Sequence, residues 1–257
     1  MGLNSKPILV PSVVFATTLN KEKVMAKTAL SDNRLLAALS KRSYKLLLPR
    51  LERVPLVYNE TIYEAGDPIH HVYFPESGII SLLSVVDEAN TVEVGIVGNE
   101  GVAGLPIFFG VRTSATLAIV QGSGFAWRMK AADFTKYNAG SAALRSLILR
   151  YTHSLFTQIS QSAACNQFHA IDERLARWLL MTHDRMRSKE FQITQEFLSS
   201  MLGVRREGVN KAAGVLHDRG LISYLRGNLK IRNRRGLERA ACACYRIIKS
   251  EYEWDLI

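Results

Sequence analysis

Cysteine is scarce in this chain of 257 residues: there are three, Cys165, Cys242 and Cys244, and none before position 165. An odd number argues against a disulfide framework, and the spacing contains no pair of clusters of the zinc-binding kind. Cys242-x-Cys244 falls alone on an expected terminal helix, so its thiols are expected to be inert and the compartment reducing, a cytoplasm. No apolar run approaches the ~20 residues of a membrane span, so no membrane partner is expected. Residues 7–19 are apolar, but Pro11 and Thr17-Thr18 interrupt them and only Lys6 precedes them. With no clear cleavage site either, they do not read as a signal peptide. Residues 1–30 are expected to be a poorly ordered or loosely docked extension. Enzyme signatures are missing too. No Gly-rich phosphate loop follows a strand, no G-x-S-x-G occurs, and no His is spaced with carboxylates as a catalytic metal site.

What is present is positive charge, unevenly placed. Lys and Arg outnumber Asp and Glu by 9 to 2 over residues 1–50, trail by 7 to 10 over 51–166, and lead by 17 to 11 over 167–257. A mildly acidic middle between basic ends suggests one sensing or scaffold module and one module that binds a polyanion.

Residues 194–220 sharpen the second of these. Thr194 is a plausible N-cap, and Phe197, Leu198, Met201 and Leu202 share one helical face. Gly203 supplies a residue that can leave the helix with positive φ. A second helix is expected from about Arg206 to Arg219, with Val209, Ala212, Ala213 and Leu216 facing inward. Its other face carries Arg205, Arg206, Glu207, Asn210 and Lys211. Arg and Lys can donate to guanine, Glu can accept from cytosine, and Asn can pair with adenine. Two helices around a turn present such a face to the major groove, although a packed helical hairpin with a solvated basic face has the same spacing. The β-rich runs 221–225 and 229–232 follow, separated by Arg226-Gly227-Asn228. They predict a hairpin wing whose Arg226, Lys230 and Arg232 can reach phosphates. The partner expected is double-stranded DNA.

The segment GVRREGVNKAAGVLHDRGLISYLRGNLKI resembles the DNA-binding end of the CRP/FNR family of bacterial transcription regulators. The family's Arg-Glu-x-Val-x-(Arg/Lys) pattern is met by residues 206–211, with Arg205 in place of the usual small polar residue and Gly208 in place of a frequent Thr. The resemblance implies base reading by Arg206, Glu207 and Lys211, with Asn210 a further contact. Arg205, Arg226 and Lys230 are expected to hold phosphates. RNA polymerase is a further candidate partner.

Upstream, residues 32–51 repeat apolar positions at helical spacing up to Pro49. Short β-rich runs punctuated by glycine then extend from residue 61 to 129, as in a compact antiparallel barrel or jelly roll. YEAGDPIHHVYFPESGIISLL is similar to the effector β-roll of the same family, and the likeness covers residues 32–235. The fold class expected is therefore α+β: an N-terminal antiparallel β-roll over 31–140, a long dimerisation helix over 141–168, and a winged helix-turn-helix over 169–257. Leu144, Ile148, Tyr151, Leu155 and Ile159 recur at three- and four-residue steps, which suits either a two-helix seam or packing on the roll. The family dimerises through this helix. A homodimer would set two recognition helices about 34 Å apart on a palindromic site.

Family members that bind cyclic nucleotides use a Gly-Glu for the ribose and an Arg-Ser or Arg-Ala for the phosphate. In residues 98–105, alignment of the glycines puts Val102 at the Glu position, and Thr113 takes the Arg position with Arg112 one residue early. On a strand that offset reverses the side-chain face, so a cyclic nucleotide is not expected and the effector is unknown; a regulator dependent on a cyclic nucleotide or another small effector is the alternative reading. Iron–sulfur members carry an N-terminal cysteine cluster, which is absent here. His70-His71 superficially resembles a cupin metal pair, but neighbours on a strand face opposite ways and no metal is expected. A cupin-like metalloenzyme and a protein-interaction adaptor are the competing classes. Basic rather than aromatic groups at the exposed helix favour DNA over an adaptor.

Overall fold

The computed structural model describes residues 31–87, 90–186 and 188–253; the extension expected over 1–30 lies outside them. The helix expected over 32–51 is two helices, α1 (Arg34–Ala37) and α2 (Lys41–Leu47). Ser40 starts the second, its Oγ accepting from Ser43 N at 3.2 Å, and Pro49 lies in the 3-10 turn that ends it. Asn33 caps α1 and is fully buried. Its Nδ2 donates to Pro75 O and Gly101 O, both at 2.9 Å, which ties the helix to the strands behind it.

The roll contains β1 (Glu52–Leu56), β2 (Thr61–Tyr63), β3 (His71–Val85), β4 (Thr91–Val97) and β5 (Thr116–Lys130). All pairs are antiparallel in the order β1-β5-β3-β4, with β2 also on β5. The short, glycine-punctuated runs expected over 61–129 are in part continuous, since β3 and β5 are each one long bulged strand. Gly78 makes this possible: its φ is 82°, and a Cβ there would sit 2.5 Å from Gly122 O. The chain bulges at this point without breaking the pairing. Phe74, Ile79, Ile80, Ile96, Val97, Val120 and Met129 fill the interior.

Helix α3 (Ala131–Gly140) leads into α4 (Ala142–Phe168), about 40 Å long and capped by Ser141 Oγ on Leu144 N. The stripe expected at a dimer seam turns the other way. Leu144, Ile148, Tyr151 and Leu155 are buried within the protomer and Ile159 is half-buried, because α4 packs this face on β4 and on the last helix of the chain. Its outward face carries Leu149 (52% exposed) and Phe156 (67%), with Ala163 one heptad further on.

After His169 and Ala170, α5 (Ile171–Met186) carries the rest: β6 (Glu190–Gln192), α6 (Gln195–Leu202), α7 (Arg206–Asp218), β7 (Ile222–Leu225), β8 (Asn228–Ile231), α8 (Arg234–Ala240) and α9 (Cys244–Tyr252). The terminal helix expected to carry Cys242 and Cys244 is broken at residues 241–243.

Helix α5 docks on the roll through buried polar contacts. Trp178 Nε1 donates to Glu93 Oε1 at 2.9 Å, and Gln121 Nε2 donates to Thr182 Oγ1 at 3.0 Å. Ser81 Oγ lies 2.7 Å from Glu93 Oε2 and 2.6 Å from Gln121 Oε1, yet one hydroxyl proton cannot serve both acceptors. A protonated Glu93 resolves this by donating to Ser81, which then donates to Gln121. Burial pushes the Glu93 carboxyl up to about 7, opposed by Ser81, Arg177, Trp178 and Arg185. A carboxyl raised on folding stabilises the fold fully below its unfolded value of 4.5, and loses that contribution as pH rises through about 7. Docking is therefore expected to weaken across this window, read as a falling Tm. Glu93→Gln, whose amide copies the protonated acid, should flatten the slope. An unchanged slope in the variant would remove Glu93 from the linkage.

Candidate nucleic-acid interface

Thr194 Oγ1 accepts from Phe197 N at 3.0 Å and starts α6. Gly203, at φ 60° and ψ 44°, ends it in the left-handed region. Val204 is half-buried in the turn, and α7 then buries Val209, Ala212, Ala213 and Leu216 on the elements behind it. Gly208 sits where α7 crosses the start of α5, and a Cβ there would lie 3.0 Å from Ile171 Cδ1. Close helix packing accounts for glycine at this position. Arg205 occupies the N-cap of α7 without a side-chain cap, as its chemistry requires.

The opposite face is open. Arg205, Arg206, Glu207, Asn210 and Lys211 are all exposed, and among the described residues none of their side chains makes an ion pair or hydrogen bond. The wing stands beside them. Its turn is a two-residue loop, Arg226-Gly227, rather than the triplet expected, and both residues have positive φ (50° and 78°). That is the primed geometry whose twist suits a hairpin, normally filled by Asn-Gly. Strand β6 adds a third strand to the wing, which the sequence reading missed; three residues are too short to show a period. Tyr224 OH fixes the wing to the start of α6 by donating to Ile193 O at 2.8 Å. Between wing and helices lies a cleft of about 470 Å³, flanked by Arg206 and Arg226 and floored by the capped end of α6. Lys230 differs from expectation: it pairs with Glu190 on the neighbouring strand, which competes with a phosphate for its charge.

Residues 98–105 follow β4 and pack against α4 and α5. Gly101 packs under Tyr151 of α4, where a Cβ would be 2.3 Å from the ring. Glu100 is paired with Arg185 of α5 at 2.8 Å, both side chains 7% exposed. Arg185 also donates to Gln158 Oε1 at 3.3 Å and stacks 5.0 Å over the Tyr252 ring. Val102 is buried, and Thr113 is exposed. Arg112 points to a separate cleft of about 590 Å³, shared with His70, His71 and Lys130.

The cysteines depart furthest from expectation. The break between α8 and α9 brings Cys242 Sγ to 3.4 Å from Cys165 Sγ, and Cys244 Sγ to 3.6 Å from His169 Nδ1. The Cys242 thiol and the Arg177 charge stabilise a thiolate on Cys165, lowering it, while Cys242 and Cys244 are pushed up. Two residues of C-x-C cannot predict this convergence, because the partners lie 77 residues away.

Two protein families match the chain. One is described as a Crp-like helix-turn-helix domain and matches residues 173–240; the other is described as a cyclic nucleotide-binding domain and matches residues 53–139. No curated protein is a significant match. Similar solved structures include a transcriptional regulator of the crp/fnr family from Eubacterium rectale. It is 18% identical, covers 81% of this chain and 98% of its own, and has a TM-score of 0.63. FixK2 from Bradyrhizobium japonicum is 16% identical over 75% of this chain and 98% of its own, also at 0.63. The c-di-GMP responsive regulator CLP from Xanthomonas campestris is 14% identical over 75% and 99%, at 0.62. At such identity these three attest the fold. The two family matches fall, in chain order, on the roll and on the open helix-turn-helix face, and the chain has the fold of a CRP/FNR-type transcription regulator with a helix-turn-helix DNA-binding domain.

Proposed function

We propose that this regulator binds a palindromic duplex as a homodimer in the cytoplasm and does so without a cyclic nucleotide. The observation that carries the DNA-reading half is the exposed set Arg206, Glu207, Asn210 and Lys211 at the start of α7, unpaired among the described residues. Arg206, Glu207 and Lys211 are assigned to base edges, with Asn210 a lesser contact; Arg205 and Arg226 are assigned to phosphates. Lys230 joins them only by exchanging Glu190 for DNA. The dimer is assigned to the outward face of α4, through Leu149, Phe156 and Ala163, since the inward stripe serves the protomer's own core. Selection from a pool of random duplexes tests this reading. Enriched sequences should be inverted repeats with half-sites one helical turn apart. Enrichment of single, unpaired half-sites would overturn the dimer.

Independence from cyclic nucleotides is supported by the Tyr151 ring over Gly101 and by the Glu100–Arg185 pair, which fill the space beside the glycine turn with the protein's own groups. Calorimetric titration with cAMP or cGMP should give no saturable heat.

Arg226 offers a separate test. A non-glycine side chain in left-handed backbone costs on the order of 1 kcal/mol, a strain Asn relieves. Arg226→Asn is expected to hold or raise Tm while weakening all duplexes about equally, with the salt slope reduced by about 1. A variant with full affinity would place the wing tip off the DNA.

A further inference from the structure

We propose that Cys165, His169, Cys242 and Cys244 form a tetrahedral site for a divalent ion of zinc type, which locks the joint between α4 and the DNA-binding domain. The three thiol sulfurs and one imidazole nitrogen all lie within 4.8 Å of one another. In a tetrahedral centre with bonds of about 2.3 Å to sulfur and 2.0–2.1 Å to nitrogen, neighbouring donors are about 3.8 Å (S···S) and 3.6 Å (S···N) apart. The separations of 3.4 Å (Cys165–Cys242) and 3.6 Å (Cys244–His169) already approach those edges. Three sulfurs with one imidazole make a soft, closed donor set of the kind found in structural zinc sites, unsuited to magnesium or calcium.

The surroundings supply a second, independent observation. Arg174 and Arg177 of α5 are 6% and 5% exposed, and the Nε of each has no hydrogen-bond partner among the described residues. Both guanidiniums lie in the field of these cysteines: Cys165 and Cys242 favour the charge on Arg174, and Arg177 favours thiolates on Cys165 and Cys244. Two buried cations with unsatisfied donors call for negative charge nearby. Three thiolates around a divalent ion carry a net charge of −1 and provide it, and metal binding releases the thiol protons to solvent.

Placement gives the site its consequence. Cys165 lies in the last turn of α4, and His169 is its C-cap, in the two-residue joint to α5. Cys242 and Cys244 flank the start of α9, which returns to α4 through Ser154 Oγ and Glu251 O at 2.7 Å. An ion bridging the two groups fixes the angle at which α5 carries the recognition helix α7 away from α4. Metal occupancy thereby sets the spacing of the two α7 helices in a dimer, which is the part of this inference that rests on the proposed DNA reading.

The test uses the full chain, reduced and stripped of metal. Titration with Co(II) alone should give one equivalent per chain, with the intense visible bands of a tetrahedral centre and sulfur-to-cobalt charge transfer; Zn(II) should then displace it. Cys244→Ser and His169→Gln should each weaken binding at least tenfold, and Zn(II) should raise Tm in the wild-type chain but not in Cys244→Ser. Octahedral or absent cobalt bands in the folded wild-type chain would overturn the site whatever the variants do. So would undiminished binding in both variants, or a Cys165–Cys242 disulfide that forms in air equally with and without zinc. If the metal binds but leaves duplex affinity unchanged within twofold, the site stands and its coupling to DNA fails.

Discussion

Phe156→Glu is expected to convert the protein from dimer to monomer and to lower affinity for a full palindrome by about 100-fold or more. The magnitude follows from bivalency, since linking two half-site contacts raises affinity by about 10²–10⁴ over either alone. Phe156 is 67% exposed on the outward face of α4, so the charge does not enter the protomer's core. Folding should survive, with an unchanged Tm, and affinity for an isolated half-site should change little. Sedimentation velocity reads the mass, and anisotropy reads both affinities. Tyr151→Ala provides the contrast, because Tyr151 is fully buried against Gly101. Truncating a buried aromatic costs about 3–5 kcal/mol. That variant should lose stability rather than dissociate. A Phe156→Glu protein that remained dimeric would move the seam elsewhere.

Arg206→Ala should weaken the selected duplex by about 1–3 kcal/mol, roughly 5- to 150-fold, while leaving scrambled duplexes nearly unaffected. Arg206 is the first residue of α7, exposed and unpaired among the described residues, at the edge of the cleft facing the wing. A bidentate base contact made there is lost only on the cognate sequence. Equal weakening on both duplexes would reassign Arg206 to phosphates.

The helix-turn-helix was legible because its signals are local. Thr194 as cap, Gly203 as exit, the inward set from Val209 to Leu216 and the charged face all read from neighbours a few residues apart, and each is found where expected. The roll was legible as short strands, but Gly78 looked like an end when it is a bulge, because continuity depends on β5, where Phe125 and Gly122 pair with Ser77 and Ile79 on either side. Three features lay beyond local reading. The stripe on α4 could satisfy either a partner helix or the roll, and only packing shows that Leu144 to Leu155 are core while Phe156 faces out. Lys230 looked free until β6 brought Glu190 beside it. Cys242-x-Cys244 looked inert because a continuous helix was expected; the break at residues 241–243 joins it to Cys165 and His169. Each depends on contacts between residues far apart in the chain.

The most direct measurement is fluorescence anisotropy of the purified protein, without added nucleotide, on a selected palindrome and its scrambled counterpart across a salt series. The account predicts tight, sequence-selective binding whose preference persists as salt rises and the non-specific part falls away. Weak, equal and steeply salt-dependent binding to both duplexes would contradict it, and recovery of selectivity on adding cAMP would return the nucleotide to the space Tyr151 is assigned to fill.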